Sequence, residues 1–140
     1  MLLSEILKGT GAKSPDADID IKGISFKPSE TKSGDLFVCL HEAGAEKECG
    51  EAVARGAKAI LAPVAAECGV PCAAVEDIRR AFAIASGNFC GNPAKKLKIV
   101  TVVGTDGKST TAYLIHCILE RCGMRSALIG TMYNECGGVR

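Results

Sequence analysis

The sequence predicts an α/β protein: a small α/β domain over residues 1–92, then the first β-loop-α-β unit of a larger central domain of the P-loop ATPase type over 94–140. Three observations carry this. Short apolar runs alternate with helix-like stretches through the first two thirds of the chain. Gly91-Asn92-Pro93 joins a helix stop, a turn former and a residue that cannot continue a helix, which marks a boundary. Beyond it, Leu97-Lys98-Ile99-Val100-Thr101-Val102-Val103 leads through a glycine turn into a helical stretch and a second apolar run. Such a unit spans about 35 residues and is expected to pair its two strands in parallel. Two strands and a helix are too few for a domain, so the second domain is expected to be truncated.

Each element has its own signal. Leu2, Leu3, Ile6 and Leu7 fall at helical spacing, and Gly9 and Gly11 end that helix. Residues 19–26 alternate apolar and polar with one glycine slip, predicting a half-buried strand stopped by Pro28. Lys32-Ser33-Gly34-Asp35 turns the chain into Leu36-Phe37-Val38-Cys39-Leu40, a short buried strand. Glu51 to Arg55 predicts a short helix with Gly56 at its end, followed by strands at 57–62 and 71–75. Asp77 is placed to cap a helix from Ile78 to Phe89. The last elements are a helix from Ser109 to Cys122 with Gly123 as its stop, and a strand from Ser126 to Gly130.

Composition excludes several functions. Apolar content of 47% is enough for a core, and 24% charged residues with a net charge of +1 give no basic excess for nucleic acid. No apolar run reaches the ~20 residues of a membrane span, and Met1 to Lys8 lacks the order of a signal peptide. A cytoplasmic monomer is expected. Eight cysteines contain no C-x-x-C pair. Cys39-Leu40-His41 and His116-Cys117 have no second ligand pair at zinc spacing, so reduced structural thiols are expected rather than a metal site.

The chemistry lies in Gly104-Thr105-Asp106-Gly107-Lys108-Ser109-Thr110-Thr111. Glycines let a backbone turn bring its N–H groups close to an anion, and a helix N-terminus adds unpaired donors and partial positive charge. Lys108 can reach outer phosphates, and the Ser109 hydroxyl can serve a phosphate-bound Mg²⁺. Only Thr105 and Asp106 separate Gly104 from Gly107-Lys108, where the general pattern has four residues.

That shortened loop resembles the ATP loop of the Mur ligases. Ser33-Gly34-Asp35-Leu36-Phe37-Val38-Cys39-Leu40 and Ala52-Val53-Ala54-Arg55-Gly56-Ala57-Lys58-Ala59 are similar to segments of their N-terminal substrate domain. Asn88 to Pro93 with Lys96-Leu97 resembles the inter-domain joint, and Leu128-Ile129-Gly130-Thr131 the strand end in the member adding the third stem residue. The resemblance implies an ATP-dependent amide ligase of peptidoglycan precursor synthesis, working through an acyl phosphate on a UDP-N-acetylmuramoyl-peptide and a free amino acid. Gly104, Thr105, Asp106, Gly107, Lys108, Ser109 and Thr110 would bind ATP, with Lys108 catalytic and Ser109 on Mg²⁺. Residues 1–92 would hold the UDP-sugar, and the polypeptide alone is expected to be inactive.

Two departures matter. Asp106 stands where the family usually has asparagine, and Lys27-Pro28-Ser29 stands where its uridine segment usually reads Asp-Ser-Arg. Pro28 has no side-chain donor, which leaves Phe26 to stack on a base and Ser29 to replace the hydroxyl. The other readings are the member adding the terminal dipeptide, a small kinase, a noncatalytic nucleotide-sugar binding module and a structural fragment.

Overall fold

The computed structural model describes residues 1–13 and 18–139. The chain divides into two compact units, Met1–Leu97 and Lys98–Arg140.

The first unit is a four-stranded, all-parallel sheet in the order β1-β2-β3-β4. Its strands are β1 (Gly23–Ser25), β2 (Asp35–Val38), β3 (Ala59–Ala62) and β4 (Cys72–Ala74). Ile24 pairs with Leu36, Leu36 with Ala59, and Leu61 with Ala73. β2 and β3 are buried at every position, as parallel strands covered on both faces must be. The strand period of two sorts β2 between two cores. Leu36 and Val38 pack with α1 (Leu3–Ile6) and α3 (Ile78–Phe89). Phe37 and Cys39 pack with Ala45, Cys49 and Ala52 of α2 (Ala45–Ala54).

The helix ends show how sequence fixes these boundaries. The Asp77 carboxylate accepts the Arg80 N–H at 3.0 Å and caps α3 as expected. Asn88 of α3 donates to the carbonyls of Ile6 at 3.0 Å and Lys8 at 2.8 Å, tying α3 to the end of α1. Asn92 then adopts a left-handed backbone (φ 53°) and passes the chain to a 3-10 turn at Pro93–Lys96.

Three local expectations are corrected. The half-buried strand expected over 19–26 shrinks to Gly23–Ser25, because the segment before it bonds to the N-terminus. Leu3 N–H donates to Ile19 O, Ile21 N–H to Met1 O, and the Met1 ammonium meets Asp20 Oδ1 at 2.7 Å. The helix expected to begin at Glu51 begins at Ala45, since Ala45, Cys49 and Ala52 continue its buried stripe one further turn. Residues 97–103 form no strand in the second unit, and Val103 is 87% exposed. A strand requires a bonded neighbour, and β5 (Ala127–Ile129) pairs antiparallel with β6 (Asn134–Cys136) instead. The hairpin was hidden by the polar register of Asn134-Glu135-Cys136.

All eight cysteines are free. Cys39 and Cys49 are fully enclosed. Burial, together with the neighbouring Cys39 and Cys68 thiols, pushes the Cys49 thiol up to about 12. It therefore packs as a small apolar group.

Candidate functional site

α4 (Lys108–Arg121) opens directly from the glycine loop. Gly107 has φ 71° and Gly104 φ 154°, conformations that a side chain would strain, so both glycines are required by the turn. No side chain caps this helix. The first helical bond runs from Thr111 N–H to Gly107 O at 2.9 Å, which leaves the N–H groups of Lys108, Ser109 and Thr110 ahead of the ladder. These donors sit at the positive end of a 14-residue helix, an arrangement that can accept an anion. At the other end, Gly123 N–H donates to Glu120 O and Met124 N–H to Leu119 O, the paired bonds of a glycine stop.

Thr105, Asp106, Lys108, Ser109 and Thr110 are all exposed. Lys108 Nζ folds back to donate to Thr105 O at 2.6 Å. The ammonium is thereby held against the backbone of its own loop. Ser109 and Thr110 also line a pocket of about 260 Å³ with Tyr113, Leu128, Thr131, Met132 and Tyr133. A hydroxyl is a hard oxygen donor suited to Mg²⁺, which is commonly held by few protein groups plus water and phosphate. Ser109 fits that role. Among the described residues no three His, Cys, Asp or Glu side chains are grouped for a metal.

The proposed uridine residues separate. The Phe26 ring lies 5.7 Å from the Phe82 ring of α3, with Lys27 Nζ 5.5 Å from its centroid. Ser29 instead lines an open pocket of about 400 Å³ with Pro28, Gly44, Lys47, Glu48 and Glu51, on the side of α2. Its carbonyl accepts Arg55 Nη1 at 3.4 Å. Phe26 is 43% exposed, but it is not among the residues lining the Ser29 pocket.

No family model matches the chain. The chain is 34% identical over 146 residues to a UDP-N-acetylmuramoyl-L-alanyl-D-glutamate–2,6-diaminopimelate ligase of Syntrophomonas wolfei, covering 100% of this chain and 30% of that protein. The same-named ligase of Clostridium perfringens is 34% identical over 143 residues, covering 98% of this chain and 30% of its own length. Over its length the chain is similar to one part of the Mur ligases. It spans about 30% of the length of these curated Mur ligases. A solved structure of a ligase of the same name aligns with TM-score 0.71 at 24% identity, over 98% of this chain and 29% of that one. The D-alanyl-D-alanyl-adding ligase of Acinetobacter baumannii aligns with TM-score 0.62 at 23% identity, over 84% and 27%. These likenesses support the α/β fold of a Mur ligase. Among the described residues no helix is long and apolar enough to cross a membrane.

His116, Ser126, Glu120 and Glu135 form a bonded group that the sequence did not reveal as a unit. Its trace in the sequence is His116 with Glu120 four residues on, a spacing that puts both on one helix face.

Proposed function

We propose that this chain supplies the UDP-sugar domain and the phosphate loop of an ATP-dependent ligase of peptidoglycan precursor synthesis. The observation that carries the reading is the uncapped N-terminus of α4 behind two positive-φ glycines, with Lys108 folded over the loop. The ligase would add the third stem amino acid to UDP-N-acetylmuramoyl-dipeptide. The relatives, named as 2,6-diaminopimelate ligases, favour that amino acid. In the reaction, the γ-phosphoryl of ATP passes to the substrate carboxylate, giving an acyl phosphate and ADP. The amine of the amino acid attacks that carbonyl, forms the amide and expels phosphate.

In this scheme the loop N–H groups bind phosphate oxygens, and Lys108 neutralises β/γ charge. Phosphoryl transfer relies on such positioning and charge compensation more than on covalent help. Ser109 would hold Mg²⁺, which screens phosphate charge when bound. The first unit would contribute remote binding energy through the UDP-sugar.

Calorimetry on the 140-residue chain tests the reading. Mg·ATP is expected to bind one site, UDP-N-acetylmuramoyl-dipeptide a second, and neither to displace the other. Absence of any nucleotide heat would overturn it. ADP release dependent on precursor and amino acid would refute the expectation that the chain alone is inactive.

Asp106 adds a charge test. Two like unit charges 4 Å apart repel by about 4 kcal/mol at an effective dielectric of about 20, and exposure at the loop tip weakens this further. Asp106→Asn is expected to leave Mg·ATP affinity unchanged or to tighten it in the same titration. A marked loss would show that Asp106 holds the metal.

A further inference from the structure

Among the described residues of the second unit, His116 is the only buried one, at 7% exposure. A titratable ring therefore occupies the place where a small α/β unit normally puts an aliphatic side chain. Both ring nitrogens are engaged. Nδ1 lies 2.7 Å from Ser126 Oγ, and Nε2 lies 3.5 Å from Glu135 Oε1 on β6. The Ser126 hydroxyl in turn donates to Glu120 Oε1 at 2.9 Å, and Ser126 N–H donates to the same oxygen at 2.6 Å.

The direction of each bond follows from donor inventory. An ionised carboxylate only accepts, so the Ser126 proton points to Glu120 and its lone pair faces Nδ1. Nδ1 is then the donor. Hydrogen bonds from the Ser126 N–H and hydroxyl hold the Glu120 carboxyl below its ordinary range, which keeps it an acceptor at neutral pH. Nε2 faces a second acceptor-only group, Glu135. That approach is an ion pair while Nε2 carries a proton and a meeting of lone pairs when it does not.

The network joins α4 to the loop before β5 and to β6. Ile129 of β5 is 86% exposed, and β5 and β6 bury no residue fully. Apolar packing therefore does little to seat the hairpin. Yet its turn carries Thr131, Met132 and Tyr133, which face Ser109 and Thr110 across the pocket.

We propose that His116 is a positioning residue: by bonding Ser126 and Glu135 it holds the β5–β6 hairpin on α4 and fixes the pocket wall opposite Ser109 and Thr110. The purpose of the pocket rests on the phosphate-loop reading above, whereas docking of the hairpin does not. The groups facing the ring are Ser126 from the loop before β5, Glu135 from β6 and Glu120 from α4 through Ser126.

Amide hydrogen exchange followed by NMR across 127–136 in the nucleotide-free chain tests this. His116→Leu is expected to lower hairpin protection at least ~10-fold while the amides of α4 keep theirs, because the polar bonds rather than apolar area seat the hairpin. His116→Asn can donate to Ser126 and is expected to recover part of the protection. Glu135→Gln, which removes the carboxylate facing Nε2, is expected to lower protection on the β6 side of the hairpin. Ser126→Ala leaves the ring in place and should loosen the hairpin as well, which covers the case that His116→Leu does not fold. Equal protection in wild type, His116→Leu and Ser126→Ala would overturn the proposal. Mg·ATP titrations of the same variants should show weaker binding. If wild type binds no nucleotide while the hairpin results hold, the phosphate reading fails and the positioning role stands.

Discussion

Lys108→Ala is expected to weaken Mg·ATP binding ten-fold or more in calorimetry, with little change in thermal stability. A hydrogen bond to a charged group contributes about 1.5–3 kcal/mol, and about 1.4 kcal/mol corresponds to one decade in affinity. Lys108 is exposed, and its ammonium bonds the carbonyl of Thr105, three residues back in its own loop. Removing the side chain therefore opens no cavity and strands no buried partner. The same bond raises a further expectation. In the free chain the ammonium satisfies a loop carbonyl, and on binding it turns to phosphate, so the measured loss is a difference between two occupied states. The loss should shrink as salt is raised, because an exposed charge is screened. Affinity unchanged by Lys108→Ala would show that the loop binds no triphosphate.

The α/β class was legible in the sequence, and so was the backbone of the glycine loop. The loop's shape could be read because its requirements are local: two glycines for positive φ and a helix start within eight residues. Gly104, Gly107 and the start of α4 at Lys108 appear where that logic puts them. The Asp77 cap was local in the same sense. What failed depended on partners. Residues 97–103 have the composition of a buried strand, but without a neighbour to complete their bonds they remain exposed. Asn134-Glu135-Cys136 has poor strand composition and still forms β6, because the turn before it lets Asn134 Oδ1 accept Gly130 N–H at 3.3 Å. Phe26 and Ser29, three residues apart, seem one site in sequence. The 3-10 turn at Pro28–Glu30 sends the first toward α3 and the second toward α2.

Phe37→Ala is expected to cost the first unit about 3–5 kcal/mol, the range for emptying a buried aromatic site. Phe26→Ala is expected to cost no more than about 1.5 kcal/mol. The two rings are chemically identical, and their surroundings decide the difference. Phe37 is fully buried at the centre of β2, enclosed by Cys39, Ala45, Cys49, Ala52 and Ile60. Most of these neighbours are small, so they have few atoms with which to refill the space. Phe26 is 43% exposed and loses its contacts with the Phe82 ring and the Lys27 ammonium. With folding stabilities near 5–15 kcal/mol, the first loss is a large share of the total. Tyr113 and Tyr133 are the only tyrosines, tryptophan is absent, and both tyrosines lie in the second unit. Urea unfolding must therefore be followed by far-UV circular dichroism, since intrinsic fluorescence does not report on β2. The ligand effects should run the other way. Phe26→Ala is expected to weaken UDP-sugar binding at nearly unchanged stability, whereas Phe37→Ala lowers the unfolding midpoint and, where still folded, retains the affinity. Equal midpoints for the two variants would contradict the assignment of Phe37 to the core. Undiminished UDP-sugar affinity in Phe26→Ala would remove that ring from the site.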